Sequence, residues 1–337
     1  MKKKINHKKK VVHIFIRKSV RSYHHSIERF VKNLTTGFYD KNLEIKIKRC
    51  PVSSEGIIKR IYLIIWAFLN QGDVNHITGD VSFISLLLSK KKTINTFLDC
   101  RLLTEFFGIK KYLYYFFWFY LPIMKSKINV FISEFSKKEI LDFGKINLNN
   151  HRVIPISLDK SILTLRKNNK NFLTFLIIGT QKNKNIMNMA KALVGIKCNL
   201  IIVGELDVKI KNILKLNNIN YRNYIDITDA EINKLYQISD ILLMVSKYEG
   251  FGMPIIEAQK AGLLVITSNI RPLKNLASNY GALLVEPDNN FKINLVLKKI
   301  ISNKISIFPY IRYGKYNSNK YKNHYISAQY KSLYMEI

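Results

Sequence analysis

Acids are scarce in this chain. Its 337 residues carry 23 Asp and Glu against 55 Lys and Arg, a formal charge of +32. Such a surface turns away from cationic partners and toward polyanions: nucleic acid, anionic lipid or phosphorylated substrates. Lysine, asparagine and isoleucine are abundant throughout, so compositional drift is the competing explanation. Cysteine is scarce too. Cys50, Cys100 and Cys198 are odd in number, far apart and without metal-ligand spacing. A disulfide framework and a zinc site are thereby disfavoured, and a reducing cytosol fits best.

Long apolar runs are also missing. The start, MKKKINHKKKVVHIFIRK, is basic like the first part of a signal peptide, but its apolar run Val11–Ile16 is short and ends in charge. It reads as a basic tail entering a first strand. Ile57–Leu69 contains Lys59 and Arg60, and the aromatic run Tyr112–Met124 covers about thirteen residues where a bilayer needs roughly twenty. Buried helix is the ordinary reading of both. For the second, with Lys110, Lys111, Lys125 and Lys127 at its ends, an interfacial helix is the alternative. No recognition helix, zinc spacing or RNP-like aromatic motif accompanies the charge, which argues against nucleic acid as a partner.

What is present is 47% hydrophobic residues, enough for real cores, in an alternation of short β-branched runs and helical stretches without repeats or a Gly/Ser linker. First-half strands are expected at Val11–Ile16, Leu43–Lys48, Val74–Ile77, Thr93–Phe97 and Val130–Ser133, and helices at Ser26–Leu34, Glu55–Asn70, Phe83–Leu88, Lys110–Met124 and Lys137–Phe143. Ser136 with Glu139 three residues on reads as a capping box. Arg152-Val-Ile-Pro-Ile156, a strand broken by proline, is a natural seam. After it come strands at Leu173–Ile178, Leu200–Val203, Tyr221–Tyr224, Ile241–Val245 and Leu263–Thr267, with helices between them at Asn185–Val194, Val208–Leu216, Asp229–Ile238, Pro254–Lys260 and Leu273–Ala277. Alternating units of this kind imply an α/β protein of two doubly wound parallel sheets, whose ligands bind outside the carboxyl ends of the strands. The expected domains are 1–155 and 156–317, facing across a cleft, with a terminal helix over 318–337 crossing back to the first.

The stretch SKYEGFGMPIIEAQKAG, Ser246 to Gly262, carries the chemistry. Strand Ile241–Val245 ends before it, Pro254 suits a first helical residue, and Gly262 suits a left-handed stop. The unpaired N–H groups of Phe251 to Ile255, Met253 among them, would face the cleft and favour an anion or sugar oxygen; Gly250 and Gly252 would let it approach the backbone. Glu257, expected in the first helical turn, would accept two vicinal ribose hydroxyls, and Glu249 hydroxyls of a second sugar. Taken singly, each glutamate is more often a dipole-complementing or solvated acid.

The whole pattern, S-x-x-E-G-F-G-x-P-x-x-E-A-x-x-x-G, resembles the GT4-type nucleotide-sugar glycosyltransferases, the glycosyl transferases group 1, with their E-x7-E motif. Ile178-Gly-Thr-Gln-Lys-Asn-Lys-Asn185, Ile201-Ile-Val-Gly204, Leu235-Tyr-Gln-Ile-Ser-Asp-Ile-Leu242 and Gly281-Ala-Leu-Leu-Val-Glu-Pro-Asp288 extend the likeness over most of the second half. In the first half Asp73-Val-Asn-His-Ile-Thr-Gly-Asp80 is similar to the family's H-x-T-G segment, and Val153–Asp159 to its connector. The resemblance implies a GT-B fold and transfer of a hexose, with retention of configuration, from a nucleotide diphosphate sugar to a glycan acceptor. That acceptor is expected to be lipid-linked, in cell-surface polysaccharide synthesis at the cytoplasmic face of an anionic membrane. The site would comprise Glu249 and Lys184 as catalytic residues, with Lys184 neutralising the leaving diphosphate. Glu257, Ser246, Gly179, Thr180, Gly250, Phe251, Gly252 and Met253 would bind the donor. Neither metal nor other cofactor is implied, in keeping with the lack of a suitably placed D-x-D, since the donor phosphate assists deprotonation of the acceptor.

The chain departs from the family at three places. Thr180 stands nearest to where many members have an arginine, which leaves phosphate clamping to Lys184, backbone amides and Ser246. Thr96-Phe-Leu-Asp-Cys100 has Leu98 where the family's T-x-H-D has histidine, and the first strand–helix loop, Arg17 to Ser26, has no glycine. Either the acceptor pocket is rebuilt around His24, His25, His76 or Asp99, or the chain is a non-catalytic binding or partner subunit.

Overall fold

The computed structural model describes residues 9–18, 26–38, 40–158, 161–162, 172–278 and 280–337. The chain divides into two compact units, residues 1–157 with 323–337, and 158–322. The first unit opens with β1 (Lys10–Ile16), α1 (Ser26–Thr36), β2 (Leu43–Arg49), α2 (Ile57–Leu69) and β3 (Val74–Thr78). After a 3-10 segment, Ser82–Leu87, come β4 (Thr93–Phe97), α3 (Arg101–Glu105) and α4 (Gly108–Tyr115). A π-helical turn over Phe116–Tyr120 joins α4 to α5 (Leu121–Met124), and β5 (Ile128–Phe131), α6 (Glu134–Phe143) and β6 (His151–Val153) complete the run. The sheet is wholly parallel in the order β2-β1-β3-β4-β5-β6. Strands β3, β4 and β5 are buried along their whole length, covered on both faces, and each carries a buried asparagine among its apolar and β-branched residues.

The second unit runs β7 (Thr174–Ile178), α7 (Ile186–Ala192), β8 (Asn199–Val203), α8 (Val208–Leu216), β9 (Tyr221–Tyr224), α9 (Asp229–Ile238), β10 (Ile241–Met244), α10 (Met253–Ala261), β11 (Leu264–Ser268), α11 (Leu273–Ala277), β12 (Leu283–Val285), α12 (Asn290–Ile301) and α13 (Phe308–Ser318). Its parallel sheet has the order β12-β11-β10-β7-β8-β9. The chain enters at β7, winds outward to β9, then returns to lay β10 against the other side of β7. The gap between the carboxyl ends of β7 and β10 is therefore the topological switch point, where the loops diverge and a ligand has room. Phe175, Leu200, Leu243, Ile266, Ile293 and Leu297 lie in the buried core of this unit.

The last helix, α14 (Asn323–Glu336), belongs to the first unit, where Asn323 and Ser327 donate to the carbonyls of Asn33 and Leu34 on α1. It starts five residues later than the sequence suggests, because α13 and a 3-10 turn at Asn319–Tyr321 occupy the interval and Lys322 is extended.

Two local expectations are corrected. The cap of α6 is Ser133, whose Oγ accepts from the Ser136 N–H at 3.0 Å; Ser136 is buried within the first turn. Strand β5 stops at Phe131, so the extended residue before the helix comes earlier, and Glu139 accepts instead from Cys100 Sγ at 3.0 Å. The two apolar runs are not simply buried: α2 and the α4–α5 segment each bury one side and expose large apolar residues on the other.

Candidate functional site

The loop leaving β7 turns at Gly179, whose φ is +88° and whose N–H donates to the Val203 carbonyl at 2.8 Å. A Cβ there would lie 3.0 Å from Lys184 Cε, so the glycine provides both the turn and the space under the lysine stem. A 3-10 turn, Lys182–Lys184, follows, and Asn185 takes the left-handed conformation at the start of α7.

Two asparagines bind this loop to the one leaving β10. Asn185 Nδ2 donates to the carbonyls of Val245 at 2.9 Å and Pro287 at 2.7 Å. Asn183 Nδ2 donates to Tyr248 O at 2.9 Å, and its own carbonyl accepts from the Lys247 N–H at 2.8 Å. Sequence reasoning missed both, although the Asn-Lys-Asn spacing around Lys184 signals a loop closed by side-chain amides. The two clamped loops bring Lys184 Nζ within 2.6 Å of Glu249 Oε1, both largely buried. A lysine and a glutamate 65 positions apart thus form one ion pair at the switch point.

Glu257 lies on α10. The helix starts at Met253, so Glu257 falls in its second turn, not its first. It is 1% exposed, and Tyr236 of α9 donates its hydroxyl to Glu257 Oε2 at 2.8 Å. A carboxylate this deep needs hydrogen-bond donors to offset its lost hydration, and Tyr236 is one the sequence did not single out. Gly252 precedes the helix with φ +101°, and a Cβ on it would meet Leu273 Cδ2 at 2.7 Å. Gly250 stands beside it, partly buried. Met253, the first helical residue, is likewise partly buried, while Ile255 spends its N–H on the Gly252 carbonyl at 3.0 Å and offers nothing to a ligand.

Other expected contacts are altered. Ser246 is fully buried, its carbonyl accepts from Ser268 Oγ at 2.6 Å, and its own hydroxyl has no partner among the described residues. Phe251 is buried edge-on to Tyr321 at 6.0 Å between ring centroids and acts as a packing residue. Thr180 sits against Gly204, where a Cβ would lie 2.7 Å from its Oγ1.

The first unit differs. His76, on β3, is fully buried, with Nδ1 2.7 Å from the Tyr334 hydroxyl and Nε2 2.8 Å from Thr96 Oγ1. Burial pushes its pKa down to about 3, so the imidazole stays neutral. An acceptor has no access to it, and its expected acceptor-side role is withdrawn. Asp99 is exposed and accepts from the Arg101 N–H at 3.2 Å at the start of α3. His24 and His25 lie outside the described residues.

Comparison with known proteins agrees with this architecture. The family model for glycosyl transferases group 1 matches residues 161–321. A GDP-mannose:cellobiosyl-diphosphopolyprenol alpha-mannosyltransferase of Komagataeibacter xylinus is 40% identical over 63 residues, which make up 18% of this chain and 16% of that protein. Among solved structures, sucrose-phosphate synthase from Thermosynechococcus elongatus superimposes with a TM-score of 0.78 at 12% identity, over 97% of this chain and 99% of that one. Anabaena HepE in complex with UDP and glucose gives 0.78 at 12% identity, over 97% and 100%. Such structural likenesses speak to fold alone, and the fold is GT-B. That fold is shared along the chain, and residues 161–321, nearly the whole second unit, form a domain of the glycosyl transferases group 1.

Proposed function

We propose that the chain is a retaining glycosyltransferase that moves a hexose from a nucleotide diphosphate sugar to a glycan acceptor. The observation that carries this is the Lys184–Glu249 pair, 2.6 Å apart at the switch point and held by the Asn183 and Asn185 clamps. A diphosphate entering there exchanges one anionic partner of Lys184 for another. Its leaving charge is met by a fixed ammonium in a partly dehydrated site, where such a group counts most. Glu249, released from the lysine, accepts from hydroxyls of the transferred sugar. Glu257, oriented by Tyr236, accepts from the ribose. The donor's own phosphate takes the acceptor proton, so the reaction requires no metal.

Support for the donor comes from relatives whose names record GDP-mannose, or UDP with glucose. The polyprenol-linked substrate in the mannosyltransferase's name supports a lipid-linked acceptor. The reading places the protein peripherally on the cytoplasmic face of the membrane, in polysaccharide synthesis. A second reading, a non-catalytic donor-binding subunit, is favoured by Leu98 and by the burial of His76.

Thermal denaturation with UDP, GDP and their sugars tests the site. A bound nucleotide at a hundred times its dissociation constant stabilises by about 2.7 kcal/mol. No shift with any of them would sink both readings, and release of free sugar or its transfer by the isolated chain removes the second.

A further inference from the structure

The first unit carries two apolar stripes that are left exposed among the described residues. On α2, Ile58, Ile61, Ile65, Phe68 and Leu69 recur at helical spacing and are exposed, Ile58 to 84%. Along the α4–α5 segment, Ile109, Leu113, Phe116, Phe117 and Tyr120 do the same, Ile109 to 78%. Single exposed apolar residues are ordinary; runs of five on one helical face are not. The opposite faces are already used: Leu63 and Ala67 of α2 are buried with Phe83, and Trp118 of the π turn packs on that cluster. The Arg60 guanidinium lies 4.7 Å over the Trp118 ring, so the two stripes belong to neighbouring elements.

The charges within these two segments have one sign. Neither 57–69 nor 107–127 contains an Asp or Glu, whereas Lys59, Lys110, Lys111, Lys125 and Lys127 lie along them or at their ends. A second copy of the chain would bring the same cations against themselves. No helix among the described residues is long and apolar enough to cross a membrane. An apolar face edged with lysine and tyrosine is what the interfacial zone of an anionic bilayer accepts: side chains enter the acyl boundary and ammonium groups meet the headgroups. We propose that the exposed faces of α2 and the α4–α5 segment dock this unit onto an anionic lipid surface. For its purpose, reaching a lipid-linked acceptor, the inference rests on the function proposed above.

Flotation of the full chain with vesicles tests it, comparing phosphatidylcholine alone with a mixture containing phosphatidylglycerol. The unsubstituted chain is expected to float with the anionic vesicles. Ile58→Ser, Ile65→Ser, Leu113→Ser and Phe117→Ser together are expected to lower partitioning by about a hundredfold. Lys59→Gln, Lys110→Gln and Lys125→Gln are expected to lower it by about fivefold per charge, and added salt to do the same. Circular dichroism and the nucleotide-induced thermal shift, unchanged in both variants, establish that the fold and the second unit are intact. Absence of flotation at low salt overturns the inference, as does flotation by the serine variant equal to the parent's. So does a concentration-dependent dimer that the serine substitutions abolish while vesicles are ignored. A chain that floats but binds no nucleotide overturns the proposed function and leaves this surface standing.

Discussion

The two sheets use buried polar groups in opposite ways. In the second unit Lys184, Glu249 and Glu257 are carried by the loops and helix that follow β7 and β10, at the carboxyl ends of the strands. In the first unit the corresponding burial falls inside a strand: His76 sits on β3 between Thr96 and Tyr334, stacked on Tyr330 at 5.3 Å. Both sets are dehydrated and hydrogen-bonded. Only the former lies where a doubly wound sheet leaves space for a ligand. Burial of an ionisable group therefore does not mark a site unless the topology opens there; His76 fastens the terminal helix to the sheet.

The comparison is broken most forcefully at the ion pair. Glu249→Ala and Lys184→Ala are each expected to lower turnover by about 10²–10³-fold, the scale for removing a preorganised charge from a developing one. The thermal midpoint of either variant should move little by comparison, which separates a reacting group from a structural one. Full turnover in both would remove the assigned site.

The counterpart in the first unit is His76→Leu. It leaves the Tyr334 hydroxyl and Thr96 Oγ1 without their imidazole partner and is expected to destabilise by about 1–3 kcal/mol, with donor affinity unchanged. Its pH signature is specific. Folding holds the imidazole at about 3, against an ordinary value of 6.5, so between those values the unfolded chain binds the extra proton. Stability is full above pH 6.5 and falls toward pH 3, by at most about 1.4 kcal/mol per pH unit from this group. The leucine variant should flatten that slope in acid denaturation; an unchanged slope would show that His76 is not its source.

A smaller change sharpens the case for Glu257. Tyr236→Phe removes a hydroxyl donated at 2.8 Å to a buried carboxylate and keeps the ring that fills the core. A hydrogen bond to a charged group contributes about 1.5–3 kcal/mol, so a rise of roughly tenfold or more in the donor dissociation constant is expected by calorimetry. An unchanged constant would mean that the tyrosine merely packs.

Much of this was legible in the chain itself. Alternating strands and helices implied two parallel α/β sheets, and the resemblance to the glycosyl transferases group 1 singled out Glu249, Glu257 and Lys184. What escaped has physical reasons. The Asn183 and Asn185 clamps depend on carbonyls sixty or more residues away, which no local pattern records. Ser246 read as a phosphate ligand from the resemblance, whose letters do not record that the residue is fully buried. His76 matched a motif whose letters do not say which face of a strand is covered. The exposed stripes of α2 and α4–α5 were hidden because an apolar helical run looks the same whether protein or lipid covers it.

The smallest expected effect concerns two serines at the start of α6. Sequence spacing favours Ser136 as the cap; the structure gives that role to Ser133, extended at φ −154° and accepting from the Ser136 N–H. Ser133→Ala should then destabilise by about 1 kcal/mol, the usual worth of an N-cap. Ser136→Ala removes a hydroxyl that donates back to the Ser133 carbonyl at 3.1 Å and lies 3.0 Å from Ser133 Oγ, but leaves the N–H that Ser133 caps, and should cost less. Denaturant titration of the pair ranks them, and the reverse order would return the cap to Ser136. Neither substitution touches the loops after β7 and β10, so the nucleotide-induced shift should match the parent's in both. A change in it would mean that the second unit's site answers to the first unit's stability, and the contrast between the two sheets would have to be redrawn.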